Sequence, residues 1–357
     1  MSKSNRNNLM QGSILKSLIS FAFPVLLALF LQAMYGAADL IIVGKFAGTY
    51  EQSGVATGSQ LLNMITMVIT GLTMGITVFV GNCIGAGKRD DAGKGVGCGI
   101  AIFIVIAFLV TILVVPLSDI LTKAMHAPKE AFSQTSNYIK ICGAGTVFIT
   151  AYNVLGSVFR GIGDSKTPLL TVLIACIINI VGDLILVAGL EMGAAGAATA
   201  TVLAQAVSVI FSLYFIRKKS LPFSFSMKYI RFRRLYVKKI LMVGTPIALQ
   251  ELLVQFSFLF IQVVVNNMGV TESAAVGVAE KVCIFFNVGC FSIHAVYFCI
   301  CGTKLRCGRF CPSTKSPVLW NFKGVSCRNN YRLNRLFRRI LAVLHFFKRN
   351  TSSFLRT

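Results

Sequence analysis

Two carboxylates stand where carboxylates are rare: Asp39 within the apolar stretch 14–43, and Asp183 within 168–190. An acid at a bilayer centre costs roughly 2.5–3.5 kcal/mol, so one retained there is a functional suspect. Asp39 closes the run Tyr35-Gly36-Ala37-Ala38-Asp39, one helical turn beyond Tyr35. Asp183 closes Asn179-Ile180-Val181-Gly182-Asp183. The i, i+4 spacing puts Asn179 and Asp183 on one helix face, where both can point into a bundle interior. A carboxylate held there can alternate between a neutralised and a charged form, the chemistry needed to couple H+ or Na+ to a change of shape. The competing reading for each acid is a solvated position at a helix end. Glu251, five residues after Pro246, reads equally as a further acid of this kind or as an interfacial one. Glu280-Lys281 reads as a local pair at a helix end.

Little else in the chain suggests covalent chemistry. Three histidines (His126, His294 and His345) are scattered, with no Ser/His or Cys/His constellation around them. Gly85-Ala86-Gly87-Lys88 lacks the spacing of a phosphate loop and follows no strand, which argues against nucleotide binding. The expectation is a protein that is not an enzyme and holds no cofactor beyond a coupling ion.

The elements that position these residues are apolar helices. Only 13% of the 357 residues are charged and 55% are hydrophobic, against about 25% charged in soluble proteins. Residues 53–80, 95–117, 168–190, 194–216 and 237–268 each reach the roughly 20 apolar residues that span a bilayer core. Stretches 14–43 and 132–158 qualify with small polar interruptions. The runs are continuous instead of alternating, so helices are expected and a barrel is not. The fold class is an all-α polytopic membrane protein of about eight transmembrane helices, the first of them retained and not a cleaved signal. Pro24 and Pro246 are expected to kink their helices, since each removes an N–H. The Gly193-x-x-Gly196-Ala197-Ala198 segment reads as a small-residue packing surface; Thr199 and Thr201 within it face either a neighbour or a cavity.

The net charge of +23 is spread unevenly. Residues 1–280 hold 21 Lys and Arg against all 12 acids, and nine of those bases lie between Arg217 and Lys239 with no acid among them. The loops 81–94, 160–167 and 217–239 are basic, as is the N-terminus, while the alternate loops are not. That parity predicts a cytoplasmic N-terminus, with loop 217–239 on the same side. Contact with anionic membrane lipids accounts for the loop, and no nucleic-acid partner is expected.

The chain also repeats itself. Phe23-Pro24-Val25, leading through Gly48 to Ser53-Gly54-Val55-Ala56, returns as Thr245-Pro246-Ile247, leading through Gly269 to Ala274-Ala275-Val276-Gly277. Such repeats build two-lobed transporters. The expected organisation is a first six-helix lobe over 1–216, the basic inter-lobe loop 217–239, and the start of a second lobe over 240–286. Beyond Glu280 the composition changes: no acid follows, and seven of the 11 cysteines and the single Trp320 lie there. Cys299-x-Cys301 and Cys307-x3-Cys311 fit no common zinc spacing, so metal is not expected. The repeat demands a Gly-Ala-Gly near 306–308, and codons allowed for Thr303 to Gly308, read one base later, encode one. The expectation is a change of reading frame between Lys281 and Ile300, leaving 287–357 as an out-of-frame, poorly structured tail. The nucleotide sequence tests this: without an alternate frame that continues an apolar, repeat-like pattern, the idea fails.

With these stretches in view, the sequence resembles the multidrug and toxic compound extrusion (MATE) family. The resemblance rests on the Pro24–Asp39 helix, Gly81-Asn82-Cys83-Ile84-Gly85-Ala86-Gly87-Lys88, and Arg160-Gly161-Ile162-Gly163-Asp164-Ser165-Lys166-Thr167-Pro168. It rests equally on Asn179-Ile180-Val181-Gly182-Asp183 and on Met192 to Thr201, with order and spacing kept over 14–286. It implies a two-lobed antiporter of the plasma membrane (the inner membrane in a bacterium), a monomer exporting cationic amphipathic compounds in exchange for H+ or Na+. It implies a cation site at Asp39, Asn179, Asp183 and Thr201. It also implies that a product lacking the last helices in frame transports poorly. A lipid-linked saccharide flippase of the same superfamily, or a non-transporting membrane receptor or enzyme, is the alternative. A flippase calls for a more basic cavity than these interior acids suggest.

Overall fold

The computed structural model describes residues 14–280 apart from Ser220, with side chains from Phe23 onward. The expectations for 281–357, including the eighth helix, the cysteine pairs and the frame change, lie outside the described residues. Among the described residues the α-helices run in order: α1 Ile14–Phe46, α2 Thr49–Gly85, α3 Arg89–Val114, α4 Ser118–Ala124, α5 Phe132–Ala144, α6 Thr146–Gly161, α7 Lys166–Asp183, α8 Gly193–Lys218 and α9 Arg234–Asn266. Residues 270–280 are also helical. Six of these helices are long and apolar enough to cross a membrane, and the pair α5–α6 makes a seventh span bent by 52°. The protein is therefore a multi-pass helical membrane protein.

The sequence signals account for most boundaries. α3 stops at Val114, just before Pro116, which has no N–H to continue the helical hydrogen bonding. Asp90 and Asp91 occupy the first turn of α3, and Arg217 and Lys218 the last turn of α8, each complementing the helix dipole. Two details differ from expectation. The run 132–158 is one apolar stretch in sequence but two helices in space. The break falls at Gly145, whose backbone lies so near Val202 that an added Cβ would sit 2.3 Å from its methyl. The run 168–190 is α-helical only to Asp183 and then widens into a π-helical turn over Leu184–Gly189. Neither proline ends its helix: α1 continues through Pro24 and α9 through Pro246.

The outer face is apolar, and several polar side chains join the apolar core inside. The exposed large apolar residues of α7 are Leu170, Leu173, Ile177 and Val181, a helical stripe fit for lipid. The opposite stripe, Thr171, Ala175, Asn179 and Asp183, is buried. Burying the polar stripe is the arrangement a hydrocarbon solvent demands.

α2 is the central post, packing against α9, α5, α6 and α3, while α1 lies mainly against α7 and α7 against α8. The small residues Gly193, Ala194, Gly196, Ala197, Ala198 and Ala200 are all buried on the face of α8, as a packing surface should be. The repeat is visible in space. Gly48 and Gly269 both have positive φ, 90° and 140°, and each precedes a helix start. Ala56 and Gly277, counterparts in the two units, touch: a Cβ on Gly277 would meet that of Ala56 at 2.5 Å. The basic loop 217–239 is also more than a solvated linker. Phe223 is buried, Tyr236 Oη donates to Asp91 Oδ1 at 2.9 Å, and Cys98 Sγ donates to the Arg233 carbonyl at 3.9 Å.

Candidate cation site

Four helices each contribute a pair of residues one turn apart to a single buried cluster. They are Tyr35 and Asp39 on α1, Tyr138 and Cys142 on α5, Asn179 and Asp183 on α7, and Thr201 and Gln205 on α8. Asp183 is completely buried, Asn179 is 1% exposed and Asp39 is 6% exposed. The two carboxylates act on one another electrostatically, and Tyr138 feels both. The i, i+4 repeat is what lets each straight helix point two polar groups at one spot.

The hydrogen bonding is lopsided. Asn179 Nδ2 donates to Thr201 Oγ1 at 3.2 Å, while its buried amide oxygen has no donor among the described residues. Both oxygens of Asp183 also lack a hydrogen-bond donor among the described residues. Gln205 Nε2 donates to Tyr35 Oη at 3.5 Å, and its own amide oxygen is left over. Buried polar atoms are paired in the great majority of cases, so several acceptors left together require an explanation. An ionised carboxylate is acceptor-only and needs a donor or a cation. The Lys140–Asp119 and Lys219–Asp164 ion pairs lie elsewhere. A set of carboxylate, amide and hydroxyl oxygens suits a hard cation or a proton. The donor set therefore fits a coupling ion.

The cluster is set in apolar packing. Leu40, Val43, Val55, Ala56, Leu62, Val187, Ala194 and Ala197 form an apolar shell that includes Tyr138 and Cys142. Gly58 on α2 makes room for the Tyr138 ring, since a Cβ there would sit 2.7 Å from it. The π-helical turn begins directly after Asp183 and packs under α8, where Gly196 meets the Leu186 carbonyl region. Such turns are frequent at functional sites because they redirect a helix without ending it. Glu51 accepts from the Ala194 N–H at 2.7 Å and so secures the start of α8.

Of the residues expected from sequence, Asp39, Asn179, Asp183 and Thr201 are brought together. Thr199 is not: its hydroxyl donates to the Ala195 carbonyl of its own helix. Glu251 is buried but stands apart, on the α2–α9 seam near Gln255, which accepts from Asn63. Pro24 is buried in α1, while Pro246 is exposed on α9, and neither touches the cluster's polar groups. Tyr138, Cys142 and Gln205 escaped the sequence reading. The signal was present, because each lies in a polar i, i+4 pair, but such pairs are common where no site exists.

A second electrostatic feature lies at the α6–α7 turn. Asp164 Oδ1 accepts from the N–H groups of Lys166 and Thr167, both at 3.1 Å, and Oδ2 accepts from Thr167 Oγ1 and Lys219 Nζ. Burial alone pushes this carboxyl up, but the Lys219 ammonium with the Thr167 hydroxyl and N–H holds it below the ordinary range. The turn thus ties the start of α7 to the end of α8.

Residues 24–185 match the MatE family. The chain is 28% identical over 279 residues to the probable multidrug resistance protein YpnP of Bacillus subtilis, covering 76% of this chain and 60% of that protein. It is 30% identical over 243 residues to the probable multidrug resistance protein NorM of Thermotoga maritima, covering 67% and 52%. The chain thus spans about 60% or less of the length of these relatives. Among solved structures it is similar to a MATE protein in complex with MaL6, with a TM-score of 0.75 at 25% identity, covering 85% of this chain and 68% of that one. A MOP-superfamily transporter from Pyrococcus furiosus shares the fold with a TM-score of 0.76 at 24% identity, covering 86% and 68%.

Proposed function

Because the chain belongs to the MatE family, we propose that residues 14–280 carry the ion-coupling half of a multidrug efflux antiporter. It exports cationic amphipathic compounds in exchange for H+ or Na+, from the plasma membrane, with its N-terminus in the cytoplasm. The observation that carries this reading is the buried acceptor cluster: Asp183 and Asn179 present oxygens without donors, next to Asp39, inside a membrane bundle. A cation bound there neutralises the cluster and lets the helices close around it. Its departure leaves mutually repelling carboxylates that favour another packing. Coupling then needs only that the organic cation and the small ion favour different packings. The relatives' names, probable multidrug resistance proteins, support the substrate class. Interior acids in the first lobe favour a cation exporter over a flippase for anionic lipid-linked sugars.

Displacement tests this. Ethidium binding to the full chain in lipid nanodiscs, followed by fluorescence anisotropy, should weaken about tenfold on adding Na+ or lowering pH, one typical coupling energy. Asp39→Asn should lose most of that response. Ethidium binding that ignores both ions, or that responds equally in Asp39→Asn, would sink the proposal.

A further inference from the structure

At the end of the bundle away from the basic loops, one side chain gathers four hydrogen bonds, two of them across the seam between the repeats. Asn266, the last residue of α9, accepts at Oδ1 from Ser273 Oγ at 2.8 Å, Gln262 Nε2 at 3.0 Å and Thr57 Oγ1 at 3.2 Å. Its Nδ2 donates to the Met125 carbonyl at 2.8 Å. Thr57 and Met125 belong to the first repeat; Gln262, Asn266 and Ser273 belong to the second. All five residues are buried, none more than 4% exposed. Every polar atom of the Asn266 side chain is used.

Further along the same seam the two helices touch through backbone. A Cβ on Gly71 would meet Ala248 Cα at 2.7 Å, one on Gly75 would meet the Ile240 carbonyl at 2.2 Å, and one on Gly244 would meet the Leu72 carbonyl at 2.5 Å. Thr57 lies about 20 Å along α2 from Gly71, at 1.5 Å per residue. The seam therefore has two unlike parts. The glycine crossing near mid-helix holds by shape, with no directional bond to break. The Asn266 end holds by directional bonds that are fully made or lost together.

We infer that Asn266 is the latch of a gate: its bonds to Thr57 and Met125, with Gln262 and Ser273 fixing its amide, hold the repeats shut at the end opposite the basic loops, and the glycine crossing is the pivot. This rests on reading the two repeats as the moving parts of a transporter. In a low-dielectric seam a buried polar network is stable only when complete, since each orphaned group costs its full desolvation. Such a network gives two discrete states instead of a graded opening. Release at that end then begins with the breaking of Asn266's bonds and the wetting of Thr57, Gln262 and Ser273. Asn267 has no such role: it is exposed, and its Nδ2 donates to the Val263 carbonyl of its own helix.

Amide hydrogen exchange of the full chain in lipid nanodiscs tests this. Asn266→Ala should raise exchange about tenfold or more in 122–127 and 262–274, while 72–80 and 236–246 stay within about twofold. Thr57→Val, which removes one donor and keeps the shape, should give a smaller rise in the same two windows; Asn267→Ala should give none. An equal rise at both ends would show a structural staple and overturn the latch, as would no rise at the Asn266 end. If Asn266→Ala does not fold, the Thr57→Val pattern decides by the same criterion. Ethidium displacement on the same samples separates the two ideas. Exchange that responds while ethidium ignores Na+ and pH leaves the latch and removes the antiporter; the reverse removes the latch alone.

Discussion

Replacing Asp183 by asparagine should uncouple the protein's stability from small cations. Asp183 is fully buried, with neither oxygen receiving a donor from the described residues and with Asp39 acting on it. In the absence of a bound ion, an ionised carboxylate there carries a desolvation penalty of several kcal/mol. Asparagine keeps the shape and removes the charge. In choline chloride at about pH 8, Asp183→Asn should therefore be at least as stable as the parent, an unusual result for a substitution at a buried polar site. An ion at about 100 times its dissociation constant stabilises the state that binds it by about 2.7 kcal/mol. For a chain of this size that is a rise in Tm of about 3–5 °C. The parent should show this rise in about 150 mM sodium chloride, or on lowering to about pH 5, depending on the coupling ion, and Asp183→Asn should show less than a fifth of it. Thermal unfolding in lipid nanodiscs, followed by intrinsic fluorescence or scattering, measures both. The argument is refuted if Asp183→Asn gains as much as the parent. It is equally refuted if the variant loses more than about 3 kcal/mol in every buffer, because the carboxylate is then a structural group.

Two further outcomes follow from the same geometry. Thr201→Val removes the acceptor that orients Asn179 and should halve or abolish the cation-dependent rise in Tm, whereas Thr199→Val, whose hydroxyl only bonds its own helix, should leave it intact. Asp164→Asn should lower stability by about 1–2 kcal/mol at neutral pH through loss of its helix-start and Lys219 contacts, a figure limited by the half-exposed lysine. The Asp164 carboxyl titrates lower when folded than when unfolded, so its contribution is present above about pH 4 and is lost as pH falls through the folded value. Parent and Asp164→Asn should converge there in a pH series of unfolding, and a gap that persists undiminished in acid would show that charge is not involved.

Much of the fold was legible because lipid is an exacting solvent. Apolar runs near 20 residues are helices by necessity, and the runs ending near 43, 80, 117, 190, 216 and 268 all became spans. The misreadings were local. Nothing in the composition of 132–158 distinguishes one helix from two. The break falls at Gly145, where Val202, far away in sequence, leaves no room for a side chain. The π-helical turn after Asp183 was equally invisible, since Leu184–Gly189 is as apolar and helix-compatible as its neighbours. Loop 217–239 was read from its charge as a lipid-facing linker, yet Phe223 and Tyr236 pack it against the first repeat; nine lysines and arginines masked the few residues that matter for docking.

For the site, the sequence alone determined which groups were costly enough to notice. Asp39 and Asp183 stand out because a charge in an apolar run must be compensated, and Asn179 because a four-residue spacing places it beside Asp183 on any helix. Tertiary structure decided the rest. It brought α1, α5, α7 and α8 to one point, chose Thr201 over Thr199, and added Tyr138, Cys142 and Gln205. It also set Glu251 apart from the acids it resembles in sequence. Helical periodicity says which residues share a face, but the face that turns inward is chosen by contacts between distant helices. That choice is made at Gly58, Gly145 and the small residues of α8, which carry no chemistry of their own and set how closely the helices can approach.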